Sequence, residues 1–182
     1  MFSLKSKITK KLLNYFYLNP ETTLYVNELS EKLNLDKRNL VKKLKELESE
    51  GILKSQSRGN LKLYSINKNY PLYNEYKKII LKTLGLENRI RDVLRQAKGI
   101  RTAYIYGSYA KDKLDIHSDI DLLVIGDYSI ALLQRELNKL QKEIDREISV
   151  VNMDEKDFNK RQENKDPFIN GILKEKHIKV II

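Results

Sequence analysis

The sequence has no cysteine, only two histidines, and only 7 glycines and 3 prolines among its 182 residues. The missing cysteines exclude disulfides and thiolate metal sites, and they make a cytoplasmic location the default expectation. With two histidines, a zinc site would need several carboxylates as further ligands. No apolar run approaches the ~20 residues of a membrane span, and lysines interrupt the N-terminal segment too often for a signal peptide. The composition therefore predicts a globular chain with no membrane partner.

Positive charge is concentrated in one half of the chain. Residues 1–100 contain 21 Lys and Arg against 10 Asp and Glu, whereas residues 101–182 contain 14 against 15. A lysine-rich genome would load both halves alike, so the asymmetry indicates a polyanionic partner for the N-terminal half.

The N-terminal half has the pattern of three helices followed by a hairpin. Apolar spacing predicts the helices, with Asn27 and Asp36 as N-caps of the second and third, over residues 4–18, 28–33 and 37–49. Residues 52–66 alternate as two strands around Arg58-Gly59-Asn60, a turn signal. This is the order of a winged helix-turn-helix, and residues 1–66 resemble ArsR- and MarR-like regulators.

The resemblance implies double-stranded DNA as the partner of this half. In the helix 37–49, basic and polar residues lie opposite a stripe of leucines, and the following hairpin carries further cations. The side chains predicted to contact DNA are Arg38, Asn39, Lys42, Lys45, Lys54 and Arg58. The alternative is a purely structural winged helix with a solvated lysine face. Regulators of this kind commonly pair on two half-sites, so we also expect a homodimer, with the predicted amphipathic helix at 70–83 as a candidate contact.

A second motif lies near residue 110, where the predicted elements change to alternating strands and helices. An apolar strand (100–106) ends at Gly107-Ser108, where a short helix is expected to expose N–H groups and a hydroxyl to phosphate. Ten residues later, Asp119 and Asp121 alternate on a second strand, so both carboxylates face the same side. Paired carboxylates at this spacing suit divalent cations. The alternative is a strand whose solvent-exposed end happens to be acidic. That alternative would explain the two aspartates but not the upstream Gly107-Ser108.

Gly-Ser followed after ten residues by Asp-x-Asp resembles the DNA polymerase β-like nucleotidyltransferase superfamily, in particular the minimal nucleotidyltransferases of prokaryotes. The resemblance covers roughly residues 88–182 and implies an α+β fold, a small mixed sheet flanked by helices. It further implies two Mg²⁺ ions and a nucleoside triphosphate, for which ATP is expected. Asp119 and Asp121 would hold the metals, and Gly107 and Ser108 would bind the phosphates. Lys111 would neutralise phosphate charge, unless it is an ordinary solubilising lysine.

The superfamily uses a third carboxylate on a later strand, predicted here over 145–152. Glu147 is the expected catalytic and metal-binding residue, with Asp145 as the alternative, because the segment Arg146-Glu147-Ile148 resembles this branch. The chain departs from its relatives in two places: Glu147 stands where most have aspartate, and Asp112 stands where glycine is common. His117, near the mouth of the site, is expected to be a surface histidine.

Three functions are compatible with these motifs. The first is a nucleotidyltransferase that modifies a hydroxyl acceptor and regulates transcription. The second is a regulator that senses nucleotide without turnover, and the third is an autoregulating antitoxin with a HEPN-type toxin as partner. The intact acids favour the first. The expected domains are a winged helix-turn-helix (1–68), a connecting helix (69–86) and a nucleotidyltransferase domain (87–182).

Overall fold

The computed structural model describes residues 5–83, 85–115 and 118–180. His117 lies outside these residues, so its predicted surface position stays a prediction. The chain divides into two compact units, Met1–Asn88 and Arg89–Ile182, and each unit is described by itself below.

The first unit contains three helices and a three-stranded antiparallel sheet of order β1-β3-β2, followed by a fourth helix. Its elements are α1 (Lys7–Leu18), β1 (Leu24–Tyr25), α2 (Val26–Leu33), α3 (Lys37–Ser49), β2 (Leu53–Arg58), β3 (Leu61–Ile66) and α4 (Tyr73–Thr83). The predicted order of three helices and a hairpin is therefore observed. Its assignment to the winged helix-turn-helix family stays a prediction.

The starts of α2 and α3 follow from local hydrogen bonds. The Asp36 carboxylate accepts from the Asn39 N–H at 3.0 Å, so the predicted cap of α3 is correct. The expected cap Asn27 is wrong: α2 begins at Val26, two residues earlier than predicted, with Tyr25 at the cap position, where the Tyr25 N–H donates to the Glu28 carboxylate at 3.0 Å. Such a reciprocal bond satisfies a helix N-terminus without a short polar residue at the cap position.

The predicted connecting helix packs on its own unit. The rings of Tyr17 on α1 and Tyr73 on α4 lie 5.4 Å apart, and Ile80 and Leu81 are buried. Burial in this apolar contact raises the pKa of Tyr17. Helix α4 therefore buries Ile80 and Leu81 within its own chain, whereas Leu72 and Ile79 stay exposed.

The second unit is built on a four-stranded mixed sheet of order β6-β5-β4-β7, in which only β5 and β6 run parallel. Helix α5 (Leu86–Gln96) crosses the boundary between the units. The remaining elements are β4 (Ile100–Tyr106), α6 (Gly107–Ala110), β5 (Ile120–Gly126), α7 (Ile130–Ile144), β6 (Ile148–Met153), α8 (Glu155–Glu163), α9 (Pro167–Lys174) and β7 (Ile178–Val180). The predicted α+β fold with a small mixed sheet flanked by helices is confirmed for this unit.

The central strand β5 is apolar on both faces. Leu123 and Ile125 pack with Tyr104 into a core that α8 and α9 cover through Phe158 and Ile169. Alternate residues of β5 point to the opposite face and are also fully buried. Burial on both sides explains why β5 reads as a continuous apolar run after its acidic start. Within the described residues, no helix is long and apolar enough to span a membrane.

Candidate active site and basic surface

The two aspartates lie where β5 begins. Asp119 directly precedes the strand and is exposed, whereas Asp121 is its second residue and is half-buried. Burial, and to a lesser degree the negative charge of Asp119, raise the pKa of Asp121. The structure therefore brings the two carboxylates close enough to repel each other, which is the condition that a bound cation relieves.

Gly107 packs directly against one of these carboxylates. It ends β4 with a φ of +69°, and a Cβ placed on it would lie 2.0 Å from Asp121 Oδ2. Tyr106, the preceding residue, is the register partner of Asp121 on the antiparallel strand. Two independent constraints thus require glycine here: the left-handed backbone and the space that the carboxylate occupies.

The turn after Gly107 is closed by backbone hydrogen bonds, from the Lys111 N–H to Gly107 O at 3.2 Å and from the Lys113 N–H to Ser108 O at 2.9 Å. Asp112 adopts a φ of +57°. This explains its departure from the glycine of relatives, because aspartate is among the few residues that tolerate the left-handed region. Ser108 is half-buried at the start of α6.

Two charged residues of this turn, Lys111 and Asp112, are ion-paired. Lys111 contacts the Glu175 carboxylate, and Asp112 accepts from Lys176 Nζ at 2.6 Å. Both pairs are solvent-exposed, so each contributes only about 0–1 kcal/mol. A phosphate would therefore compete with Glu175 for Lys111 at little cost, and the predicted role of Lys111 stays open.

The expected third carboxylate, Glu147, lies directly before β6, the strand that pairs with β5. Strand β6 begins at Ile148, and its register places Ser149 beside Asp121. Glu147 is exposed just before the strand, and its carbonyl accepts from the Ile120 N–H at 3.0 Å. Asp145 does not lie on the strand as predicted: it ends α7 at a φ of +58°, because the helix runs two residues further than its apolar pattern indicated. The role of Glu147 stays a prediction.

Arg146 is a residue that the sequence pattern did not single out. Only 8% of it is exposed, and its Nη1 donates to the carbonyl oxygens of Asp115 and Ser118, both at 2.7 Å. Ser118 directly precedes Asp119, so the guanidinium fixes the segment that presents this carboxylate. The sequence signal was an arginine between two acids at a strand entry, which reads as ordinary surface charge.

The N-terminal residues predicted to contact DNA are all exposed: Arg38, Asn39, Lys42 and Lys45 on α3, and Lys54 and Arg58 on β2. Their leucine stripe is fully buried, with Leu40, Leu44 and Leu47 at 0% exposure. Not every lysine nearby has the same environment, since Lys62 on the hairpin is ion-paired with Glu48 at 2.7 Å. The structure thus presents the six side chains to solvent, and their role in DNA binding stays a prediction.

The sequence profile of the family described as "Polymerase beta, Nucleotidyltransferase" matches residues 88–179, slightly more than half of the chain. The chain belongs to the polymerase β nucleotidyltransferase family. The matched segment contains Gly107, Ser108, Asp119 and Asp121, so the motif and the family agree. The prediction of a nucleotidyltransferase domain is confirmed. No protein with a curated description matches the chain significantly.

Several solved structures are similar to the chain at low TM-scores. A crystal structure of a toxin–antitoxin with AMP-PNP has 26% identity over 36% of this chain and 56% of its own, at a TM-score of 0.33. A mutant of the toxin–antitoxin MntA-HpeT has 16% identity over 53% and 73%, at 0.39. A possible transcriptional regulator from Methanosarcina mazei Go1 has 19% identity over 50% and 78%, at 0.34. The chain spans little more than half the length of the first of these.

The family implies Mg²⁺, and two carboxylates of this chain fit it. Mg²⁺ prefers oxygen ligands and is commonly held by one or two carboxylates together with substrate phosphates. Asp119 and Asp121 supply them, and their repulsion is what a divalent cation would offset. Within the described part of the chain, no group of three or more His, Cys, Asp or Glu side chains could hold a metal.

Proposed function

We propose that the chain transfers a nucleotidyl group, AMP from ATP, to a hydroxyl acceptor with Mg²⁺ as cofactor, and that its N-terminal half binds DNA. The observation that carries the catalytic part is the approach of Asp119 and Asp121 beside Gly107, within the segment that the family profile matches. Carboxylate pairing without a positive partner is unfavourable, so the site has the character of a cation-binding site.

The chemistry is an in-line displacement at the α-phosphorus. The acceptor oxygen bonds to phosphorus, the bond to the bridging oxygen breaks, diphosphate leaves, and the hydroxyl proton passes to a base or to water. Mg²⁺ held by Asp119 and Asp121 would supply neutralisation of the triphosphate and of the charge that develops on it. We assign the role of base to Glu147, which is exposed directly before β6, the strand next to β5.

Four further residues of the site position the two aspartates and the phosphates. Gly107 leaves the space that the Asp121 carboxylate occupies, and Arg146 holds the segment before Asp119 through two carbonyl oxygens. Ser108 and Lys111 lie on the adjoining turn, where they would bind the phosphates. Precise placement of reacting groups accounts for a large part of catalysis in phosphoryl-type transfer.

Calorimetry with ATP and a Mg²⁺ titration tests the site. We expect the wild type to bind ATP in a Mg²⁺-dependent manner and the Asp119→Asn/Asp121→Asn variant to lose that dependence. Equal affinity and equal metal dependence in both proteins would refute the site. If transfer is found, Glu147→Gln should nearly abolish it while Asp145→Asn leaves it largely intact; the opposite pattern would make Asp145 the third acid.

The DNA-binding proposal rests on the order of elements in the first unit and on the exposed cations of α3 and β2. Fluorescence anisotropy across a salt series, with the upstream region of the gene as the first duplex, measures it. Log affinity should fall with log salt by about 0.9 per phosphate contact. Arg38→Ala should weaken binding to the operator more than to random DNA, by about 1–3 kcal/mol if it contacts a base. Lys54→Ala should weaken both alike, because phosphates carry no sequence.

Absence of binding to any duplex at low salt would contradict the DNA proposal. The basic surface of the first unit would then need another polyanion, such as an RNA acceptor of the transferase. A HEPN-type toxin as partner, and autoregulation as its antitoxin, remain predictions from the resemblance of the motif.

A further inference from the structure

A small cavity with aromatic walls lies next to the candidate active site. Tyr106, Pro167, Phe168 and Ile172 line it, and we call it the aromatic cavity. Its volume is about 230 Å³. Pockets that enclose a drug-sized ligand measure about 300–1,000 Å³. The aromatic cavity therefore suits one flat ring system and not a whole nucleotide or a peptide segment.

The cavity is continuous with the carboxylate site. Gly107 forms part of its lining, and the same glycine packs against the Asp121 carboxylate. Tyr106 is the cross-strand partner of Asp121, so their side chains lie on one face of the sheet. A ligand whose phosphates reach Asp121 therefore has the cavity beside it.

The walls present an aromatic face to solvent. The rings of Tyr106 and Phe168 meet edge to face, with centroids 5.9 Å apart and planes at 86°. In this arrangement Phe168 remains 40% exposed, although it is the second residue of α9 and the next residue, Ile169, is fully buried. An exposed aromatic ring beside a polar site is the arrangement on which nucleobases stack, because every base has a π-face.

The charged residues at the rim belong to two ion pairs. These pairs connect the segment between α9 and β7 to the turn that follows Gly107. Glu175 and Lys176 line the cavity and bind Lys111 and Asp112 of that turn. Both sides of the cavity are thereby held to the segment expected to bind phosphate. The segment expected to bind the phosphates and the aromatic cavity are thus linked by these ion pairs.

We propose that the aromatic cavity holds the nucleobase of the nucleoside triphosphate, with Phe168 as the stacking platform. The proposal rests on the proposed function, since it assigns one part of the substrate of that same site. It also distinguishes the substrate's two ends: the base contacts Phe168 and Tyr106, and the triphosphate contacts the turn and the carboxylates.

Calorimetry with two probes separates the base from the phosphates. ATP carries a base, and inorganic tripolyphosphate carries none; each is titrated with Mg²⁺ into wild type, Phe168→Ala and the control Ile130→Ala. Ile130 is exposed like Phe168, but it lies on α7 and does not line the cavity. We expect Phe168→Ala to weaken ATP binding about fivefold or more, the equivalent of the ~1–3 kcal/mol of a base–aromatic stack. Tripolyphosphate binding should not change, and Ile130→Ala should affect neither probe.

A fluorescent variant gives a second, direct readout. The sequence contains no tryptophan, so Phe168→Trp and Ile130→Trp each carry a single indole. ATP should quench the indole at position 168 by stacking, and tripolyphosphate should not. The indole at position 130 should respond to neither probe. This readout does not depend on turnover or on the identity of the acceptor.

The outcomes distinguish this inference from the proposed function. An unchanged ATP affinity in Phe168→Ala overturns the inference, and a raised acceptor KM in the same variant would instead make the cavity an acceptor-docking site. Equal losses for ATP and tripolyphosphate also overturn it, because Phe168 would then act through the fold. If ATP binds through Phe168 but no acceptor is ever modified, the inference stands and the proposed function fails. A wild type that does not bind ATP overturns both.

Discussion

Replacing Gly107 with alanine perturbs the backbone and the carboxylate site together. The residue has a φ of +69°, and the new Cβ would lie 2.0 Å from Asp121 Oδ2 and 3.0 Å from its Cγ. Non-bonded carbon contacts are favourable only near about 3.5–4.0 Å, so the carboxylate must move by about 1 Å or more. The substitution therefore tests whether the position of Asp121 matters for function.

The magnitude follows from two separate costs. Alanine in the left-handed region costs roughly 1–2 kcal/mol, and in a domain of this size each kcal/mol lowers the unfolding temperature by about 4–8 °C. We therefore expect a fall of roughly 5–15 °C for the unit that contains Gly107. A catalytic group displaced by about 1 Å can lose roughly 100-fold in rate, and a loss of this order in kcat/KM is expected.

Gly59 provides the matched control. It has a φ of +60°, and a Cβ there would meet nothing within 4 Å. Gly59→Ala therefore carries the backbone strain without the clash, and it lies outside the nucleotidyltransferase domain. Thermal unfolding and steady-state transfer are measured for wild type, Gly107→Ala and Gly59→Ala. We expect transfer to be retained in Gly59→Ala and largely lost in Gly107→Ala. Equal activity in both variants would show that the position of the Asp121 carboxylate does not matter for transfer.

Three further predictions concern charge, positioning and assembly. Burial and the charge of Asp119 raise the pKa of Asp121, so the folded state binds that proton more tightly than the unfolded state and loses stability as pH rises through the raised pKa. Asp121→Asn should therefore raise the unfolding temperature in metal-free buffer at neutral pH, by an amount that shrinks towards acidic pH; a gain independent of pH would argue against this charge effect. Arg146→Met should raise the Mg²⁺ concentration needed for half-maximal ATP binding, and Arg146→Lys should recover part of it, whereas an unchanged Mg²⁺ requirement would leave Arg146 a purely structural residue. We expect a homodimer, for which light scattering should give about twice the monomer mass of 21.4 kDa. The exposed residues Leu72 and Ile79 are candidate contacts. The monomer mass at micromolar concentration would reject the dimer.

The sequence predicted well those features that depend on short-range patterns. The strand–turn–strand around Gly107 and Asp121 followed from alternation and spacing, and both strands begin within one residue of expectation. The mixed sheet was expected only from the family resemblance, because the pairing of strands depends on residues that are far apart in the sequence. No local pattern indicates that β6 pairs parallel with β5, or that its register brings Ser149 to Asp121.

Two features of the site were invisible for the same reason. Arg146 is separated by about 30 residues from the carbonyl oxygens that it contacts, and nothing in its neighbours marks it as buried. The aromatic cavity joins Tyr106 to Phe168, which are separated in the sequence by three helices and two strands. The predicted end of α7 was wrong because Glu143 and Ile144 continue the helix beyond residue 142, and Asp145 therefore lies at the end of the helix and not on the strand.

The most direct test of the account is nucleotidyl transfer from ATP labelled at two positions. ATP carrying ³²P at the α-position or at the γ-position is incubated with Mg²⁺, a cell lysate and either wild type or the Asp119→Asn variant. We expect the wild type to transfer the α-label to an acceptor, the γ-label to leave with diphosphate, and Asp119→Asn to transfer neither. Transfer of the γ-label, or equal α-labelling by wild type and Asp119→Asn, would contradict it.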